Sequence, residues 1–373
     1  MLCGCGGDIA EHFAFCPHCG IELRWSAEAR RNASSSAGSL CRTLRSCATR
    51  TFERLADDHF AGPVPDEESY TKFNLQDIYR LHSDRVVIRE FQRSEEALNG
   101  ADWEWWFHSG GQGFGMRVQA KRAKRGGGYE LEHIVRRTGA RQSELLVQDA
   151  QAAGCFPAYV LYNHRNWVAA SQLGQVTDCR HGRGEQAQLG CTLVSALTVH
   201  AVLRSRPVKA AYVRDRSVPW HRILCDAPRG KQTGLSMAHA ATRHLHQRGL
   251  DDLRAAVRAE ARWARNRDRY GAAARYGPWD EPEEAGEDGT MAEPDVPDPD
   301  FQHAEDEVLD MPIYRDVGEV LARPLSPLPG RVRAMIEGAV TEPPDERAAG
   351  AMLIDLTDWK LYNNRGHRRP GNV

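Results

Sequence analysis

Four polar residues surround a glycine-rich break, at spacings that would bring them together on two neighbouring strands. Asp102 and Glu104 stand two positions apart, and beyond the break Gln119 and Lys121 stand two positions apart as well. Alternate side chains of a strand point to the same face of the sheet, so each pair shares a face. A hairpin would therefore place two carboxylates, an amide and an amine on one wall of a cleft.

This set of groups suits the hydrolysis of a phosphodiester bond. Mg²⁺ or Mn²⁺ takes oxygen ligands, usually one or two carboxylates with water and phosphate, and it activates water and offsets phosphoryl charge. We expect Asp102 to hold such an ion and Gln119 to offer a neutral amide oxygen. Lys121 would orient or deprotonate the water and stabilise developing charge. Glu104, or an acid of the preceding helix, would restore the missing negative charge.

Hydrophobic periodicity predicts the elements that must position these residues. They are, in chain order, helices over 41–60 and 67–82, strands over 85–91, 101–107 and 115–122, a helix between Ser143 and Gly154, and a strand over 156–163. Ser143 is the expected N-cap of the third helix, and Gly154 is its expected stop. The glycines of the HSGGQG stretch, residues 108–113, indicate a hairpin turn.

Further helices follow in the second half of the chain. Helical patterns cover residues 191–203, 234–248 and 250–268. Trp103, Trp105 and Phe107 are expected to point away from the polar wall and into the core. The predicted fold class is therefore α/β, a mixed central sheet flanked by helices, with helical additions towards residue 373.

The order helix, three strands, helix, strand, with Asp102 and the QAK sequence at 119–121, resembles the PD-(D/E)xK restriction-endonuclease-like superfamily. It is similar in particular to the Mrr-like branch, in which Gln stands in the last motif. The resemblance covers residues 65–205 and implies an αβββαβ core. It also implies that Asp102 is a Mg²⁺ ligand, that Gln119 is a ligand through its amide oxygen, and that Lys121 is the catalytic lysine.

The resemblance further implies an acid from the first core helix in the metal site. Glu68 is the predicted residue and Glu67 is its rival. The chain departs from the family pattern because no Pro precedes Asp102 and because Gln119 replaces an acid. A catalytically inactive protein with the same fold is therefore one alternative. A cross-strand ion pair between Asp102 and Lys121 on an exposed sheet face is another.

Charge patterning favours a polyanionic partner. Between Asp280 and Asp310 the chain has 14 acids and no Lys or Arg, so the remainder carries +12 although the whole chain carries −2. Arg122, Lys124 and Arg125 directly follow the candidate site, where they would meet a phosphate backbone. A solvated loop is the alternative for these three residues. The predicted partner is DNA, with RNA as the alternative, and cutting both strands would favour a homodimer.

Cysteine spacing at the start of the chain predicts zinc. Cys3, Cys5, Cys16 and Cys19 form two pairs in which FCPHCG resembles a zinc-ribbon knuckle. His12 or His18 could replace one thiolate. The other cysteines are expected to be buried thiols, namely Cys41, Cys47, Cys155, Cys179, Cys191 and Cys225. A second metal site around Cys179, His181 and Cys191 is the alternative.

The predicted organisation has five parts. They are a zinc ribbon over 1–25, a flexible linker over 26–40, a nuclease-like domain over 41–277, an acidic disordered segment over 278–310 and a segment over 311–373 that packs on the main domain. No apolar run is long enough to span a membrane and no secretion signal is present, so the expected location is cytoplasmic.

The predicted function is that of a Mg²⁺-dependent DNA nuclease. Restriction or antiphage defence is the biological role that the family resemblance implies. The alternatives are an inactive nucleic-acid-binding protein and a zinc-ribbon adaptor that binds other proteins.

Overall fold

The computed structural model describes ten ranges between residues 39 and 357. They are 39–90, 102–135, 138–165, 179, 184–204, 210–225, 234–270, 324–338, 348 and 350–357. The predicted zinc ribbon, nearly all of the predicted linker and the acidic segment lie outside these ranges. The zinc ligands expected there, Cys3, Cys5, Cys16 and Cys19, therefore stay predictions.

Two capped helices open the described chain at the predicted positions. Helix α1 spans Leu40–Ala61 and helix α2 spans Glu67–His82. The side chain of Asp66 caps α2 by accepting a hydrogen bond from the Ser69 amide at 2.8 Å. Such a cap satisfies an amide that has no partner within the helix. Glu67 thereby becomes the first residue of α2.

A mixed sheet forms the centre of the fold. Its strands are β1 (Val86–Glu90), β2 (Trp103–Ser109), β3 (Gln112–Arg122), β4 (Cys155–Tyr162), β5 (Cys191–Ser195), β6 (Val218–Pro219), β7 (Ser326–Pro327) and β8 (Gly350–Asp355). Within the described residues the strand order is β1-β8-β2-β3-β4-β5-β6, and β7 pairs with β3. The β8–β2 and β3–β4 pairs are parallel and the others are antiparallel.

In the described ranges, five more α-helices flank this sheet. They are α3 (Gln142–Ala152), α4 (Ala196–Arg204), α5 (Ala210–Arg216), α6 (Leu235–Tyr270) and α7 (Gly330–Glu337). The predicted class, a mixed sheet flanked by helices, is confirmed. No helix in the described part of the chain is both long enough and apolar enough to cross a membrane.

The hairpin between β2 and β3 fixes the register of the candidate site. Ser109 pairs with Gln112, which leaves Gly110 and Gly111 as a two-residue turn with φ angles of 58° and 79°. Glycine adopts such angles without the steric cost that a Cβ would bring. From this turn the register runs back to the pair of Trp103 with Val118. Asp102 then follows directly, next to Gln119.

The two faces of β2 bury different cores. Trp103, Trp105 and Phe107 join the main core together with residues of α1 and α2, as predicted. Trp106 points the other way, into a second core with Val332 and Met335 of α7. The predicted polar wall is thus covered over much of its length.

Three local predictions were wrong, each for a physical reason. Residues 191–203 form strand β5 followed by helix α4, because a fully buried apolar run has no period that separates strand from helix. The helices expected over 234–248 and 250–268 are one helix, α6. At Gly249 a Cβ would lie 2.6 Å from Ser195 Oγ, so glycine permits close packing of α6 on β5 instead of ending the helix.

Two further differences concern α3 and the end of the described chain. Arg141, not Ser143, is the N-cap residue of α3, and Ser143 is buried inside the helix. Gly154 does follow this helix, with a φ of 66°. The expected helical additions include a strand, because β8 enters the sheet between β1 and β2. The segment over 311–373 thus contributes to the sheet itself.

Buried neutral histidines predict a loss of stability at mildly acidic pH. Burial, with Arg85 nearby, lowers the pKa of His82 to about 4, and burial with Arg204 and Arg141 does the same for His200. The unfolded chain, with histidine pKa values near 6.5, binds these protons first, so stability falls as the pH drops below that value. We expect a loss of about 2 kcal/mol per histidine between pH 7 and pH 5.

Urea denaturation at pH 7, 6 and 5 measures this slope. A His82→Gln variant should show a shallower slope than the wild type, because Gln cannot take up the proton but can keep a hydrogen bond to Thr43, whose Oγ1 lies 2.7 Å from His82 Nε2. Equal free energies of unfolding for the wild type at pH 7 and pH 5 would contradict the prediction.

Candidate active site

Asp102 directly precedes β2, and both its backbone and its side chain form hydrogen bonds with β3. Its amide donates a hydrogen bond to the Val118 carbonyl at 2.8 Å, which extends the ladder by one step. Its Oδ2 atom accepts from Gln119 Nε2 at 2.7 Å and from the Ala120 amide at 2.9 Å. The structure therefore brings Asp102 and Gln119 together, as the spacing predicts.

Gln119 is held from both ends of its amide. The nitrogen donates to Asp102 and, at 3.2 Å, to the Ala120 carbonyl, while the oxygen accepts from Gln142 Nε2 at 3.1 Å. In this orientation it is the amide nitrogen of Gln119, and not its oxygen, that faces Asp102. Gln142 is the first residue of α3, so the start of that helix closes one side of the site.

Lys121 is largely buried on the same side as Asp102. Only 9% of Lys121 is exposed to solvent. A side chain on the wall of an open cleft, as predicted from the sequence, would be more exposed. Burial lowers the pKa of its amine, and the charges of Asp102, then Glu67 and then Glu130 act against that effect. Burial thus eases deprotonation of the Lys121 amine more strongly than the nearby carboxylates oppose it.

Helix α2 directs Glu67, not Glu68, towards this group. The Arg122 amide lies 3.5 Å from Glu67 Oε1, and Glu67 acts on the charge of Lys121. The Glu68 carboxylate pairs with Lys72 along α2 at 3.0 Å. The sequence holds a signal for this choice: Glu67 precedes the buried Tyr70 and Thr71 by three and four residues, and so lies on the buried face.

Glu104 does not join the candidate site. Its carboxylate is 1% exposed and lies 2.7 Å from Arg117 and 2.7 Å from Arg331, while Trp106 Nε1 donates to it at 3.0 Å. Burial alone would raise the pKa of this carboxyl, but Arg331 and Arg117 hold it below its usual value. The prediction that Glu104 supplies the missing charge of a metal site is therefore replaced by a structural role between β2, β3 and α7.

Of the three predicted phosphate-binding residues, Arg122 ends β3, and Lys124 and Arg125 lie in the exposed loop that follows. Lys124 is exposed and pairs with Glu130 at 3.3 Å, Arg125 is exposed, and Arg122 is half-buried. His164 supports the loop from below, because its Nε2 contacts the Lys124 carbonyl at 3.4 Å. The loop thus presents two cations to solvent next to Lys121.

Two surface cavities lie apart from these residues. One, of about 300 Å³, lies between the 220–223 turn and α6, and the other, of about 500 Å³, lies between α1 and α2. Neither is lined by Asp102, Gln119 or Lys121. These two cavities are therefore separate from the candidate site.

A family match covers most of the described chain. Residues 40–314 match the profile of DUF6615, a family of unknown function. The chain belongs to this family. No curated protein and no solved structure is significantly similar to this chain. The matched range includes Glu67, Asp102, Gln119 and Lys121, whereas β7, α7 and β8 lie beyond it.

The donor set of the site fits a hard divalent cation. Asp102 and Glu67 supply carboxylate oxygens, and the Ala120 carbonyl lies beside the Gln119 amide. A half-turn of the Gln119 side-chain amide would place its oxygen, instead of its nitrogen, next to Asp102. Gln142 could follow this exchange, because its Oε1 is buried and has no hydrogen-bond partner among the described residues. Oxygen ligands of this kind are those that Mg²⁺ and Mn²⁺ prefer.

Proposed function

We propose that this chain is a metal-dependent nuclease that hydrolyses phosphodiester bonds of DNA, on a restriction-endonuclease-like core. The observation that carries the proposal is the meeting of Glu67, Asp102, Gln119 and Lys121 around the ends of α2, β2 and β3. Glu67 comes from α2, Asp102 directly precedes β2, and Gln119 and Lys121 stand two positions apart on β3. A simple surface ion pair between Asp102 and Lys121 would not require the buried amine or the contacts of Gln119.

The residues divide the work of hydrolysis among them. Asp102 and Glu67 would hold Mg²⁺ or Mn²⁺, which supplies an activated water and offsets phosphoryl charge when bound. Burial lowers the pKa of the Lys121 amine, which favours its acceptance of a proton from the attacking water. Gln119 positions Asp102 through the 2.7 Å hydrogen bond before the ion binds, and a half-turn of its amide would then offer an oxygen to the ion. Lys124 and Arg125 attract the nucleic-acid backbone beside the site.

The direct test is cleavage of supercoiled plasmid and of RNA by the full chain. We expect nicked or linear DNA with Mg²⁺ or Mn²⁺ and none with EDTA, together with loss of cleavage in an Asp102→Asn variant. Asn keeps the shape of Asp102 and an oxygen for the Ala120 amide, so the variant should remain folded. Cleavage that persists equally in EDTA, or in the Asp102→Asn variant, would overturn the proposed site.

Adjacent glutamates on α2 offer a matched pair of variants. Glu67→Gln should reduce cleavage by at least roughly 10–100-fold, the loss found even for partners outside the ligand set of a metal site. Glu68→Gln should leave the rate close to that of the wild type, because Glu68 pairs with Lys72 outside the site. The measurement is the plasmid cleavage rate at several Mg²⁺ concentrations. A larger effect of the Glu68 change would reverse the assignment.

A nucleic-acid-binding protein without cleavage is the second candidate function. One observation favours it: the Asp102 carboxylate accepts two hydrogen bonds from β3, so its oxygen is satisfied without a metal. Binding of DNA that weakens with salt, without cleavage of DNA or RNA in any divalent ion, would support this second candidate.

A further inference from the structure

Three cysteines from distant parts of the chain meet in the interior. Cys41 stands at the start of α1, Cys225 follows the short 220–223 helix, and Cys179 lies between β4 and β5 in the chain. Their sulfur atoms all lie within 4.8 Å of one another, and the three residues are at most 5% exposed. The Cys41 and Cys179 sulfurs are 3.9 Å apart, and none of the three cysteines forms a disulfide.

These separations suit a shared metal ion and not a disulfide. A disulfide requires a sulfur–sulfur distance of about 2.0 Å. Two thiolates on one tetrahedral zinc ion, each bound at about 2.3 Å, stand about 3.8 Å apart. The distance between Cys41 and Cys179 is close to the second value.

His221 provides an independent observation at the same place. Its side chain is fully buried, and neither ring nitrogen has a hydrogen bond within the described part of the chain. The ring lies beside Cys179, and a neutral imidazole is a common metal ligand, so His221 can supply the fourth donor.

Arg45 adds the charge balance that such a site needs. Three thiolates and one imidazole around a divalent ion carry a net charge of −1, which is costly in a buried place. Arg45 Nη1 donates to Cys179 Sγ at 3.3 Å. Partners of this kind outside the ligand set stabilise metal-bound thiolates and orient them. Cys191, in contrast, lies apart from the cluster, where its sulfur accepts from Asn74 Nδ2 at 3.7 Å.

We propose that Cys41, Cys179, Cys225 and His221 form a structural zinc site. Soft thiolate ligands with one imidazole select zinc, and four protein ligands leave no open position for catalysis. The ion would tie the start of α1 to the turn after β6 and to residue 179, which are distant in the chain. This site is independent of the proposed nuclease function and of the zinc ribbon predicted over residues 1–25.

The test separates this site from the predicted zinc ribbon. A full-length Cys16→Ser/Cys19→Ser protein should contain about one tightly bound zinc per chain, since only the buried site remains. Adding Cys225→Ser should remove that zinc. Adding Cys155→Ser should not, because Cys155 is equally buried but lies outside the cluster. Absence of zinc from the Cys16→Ser/Cys19→Ser protein, or its retention after the Cys225 change, would overturn the proposal.

Chelation provides a second measurement if the Cys225 variant fails to fold. Removing zinc from the Cys16→Ser/Cys19→Ser protein should lower its melting temperature, and adding zinc back should restore it, because binding to the folded state is linked to stability. An unchanged melting temperature would refute a structural ion. Cobalt exchange then tests His221: a His221→Ala variant should keep the sulfur-to-cobalt absorption and change the ligand-field bands. Ligand-field bands that do not change would remove His221 from the ligand set.

Discussion

Replacing Lys121 with Met is expected to lower metal-dependent DNA cleavage by roughly 10²–10⁴-fold, the usual contribution of a positioned acid–base group. Met keeps the length and the apolar stem of the side chain and removes only the amine. Only 9% of Lys121 is exposed, so its charged amine is desolvated in the folded protein and its removal should not unfold the chain. The measurement is the single-turnover rate of plasmid cleavage, together with the melting temperature of each protein.

Lys72→Met is the matched control for this experiment. Lys72 is exposed on α2 and pairs with Glu68 at 3.0 Å, so its loss should change neither the cleavage rate nor the melting temperature appreciably. If the Lys121→Met protein is folded and cuts as fast as the wild type, the amine has no part in the reaction. If the wild type does not cut, the binding function described above gains support.

Replacing Glu104 with Gln is expected to reduce the free energy of unfolding by about 3–5 kcal/mol, the usual cost of breaking a buried ion pair on one side. The change leaves Arg117, which is 1% exposed, without its strongest negative partner. Asp149 lies 3.5 Å from Arg117 and can offset only part of this loss. Arg331 loses the carboxylate that ties α7 to β2.

Urea denaturation of Glu104→Gln and of Glu68→Gln compares a buried pair with an exposed one. The Glu68 change should cost no more than about 1 kcal/mol. A double variant of Glu104→Gln with Arg331→Met measures the coupling of α7 to the sheet, which should be favourable because the two side chains share two hydrogen bonds. A loss below 1 kcal/mol for Glu104→Gln would show that this network contributes little stability.

Local patterns were enough to predict the hairpin and the residues that it brings together. The two glycines at 110 and 111 fix the turn, and the turn fixes the register that sets Asp102 beside Gln119. The choice between Glu67 and Glu68 needed more, because it depends on which face of α2 packs on the core. The burial of Tyr70 and Thr71 settles that rotation.

Contacts between distant parts of the chain could not be predicted in the same way. Glu104 has the spacing of a site residue, but its partner Arg331 lies 227 positions away and has no local signal. Cys41 and Cys179 are separated by 138 positions, so no short spacing between metal ligands in the sequence predicts that they lie close together. Strand β8 reads as an apolar run, and its place between β1 and β2 depends on pairing that no local period encodes.

Because β8 lies late in the sequence, its position affects how the protein folds during synthesis on the ribosome. Strands β1 and β2 are synthesised early, but β1 pairs with β8. Val86 therefore cannot pair with Ile354 until β8 has been synthesised. Until then the emerging polypeptide exposes two open strand edges, which are sites for unwanted association between chains. A chaperone that shields these edges during translation would raise the yield of folded protein, and a premature stop before residue 350 would produce an aggregating fragment.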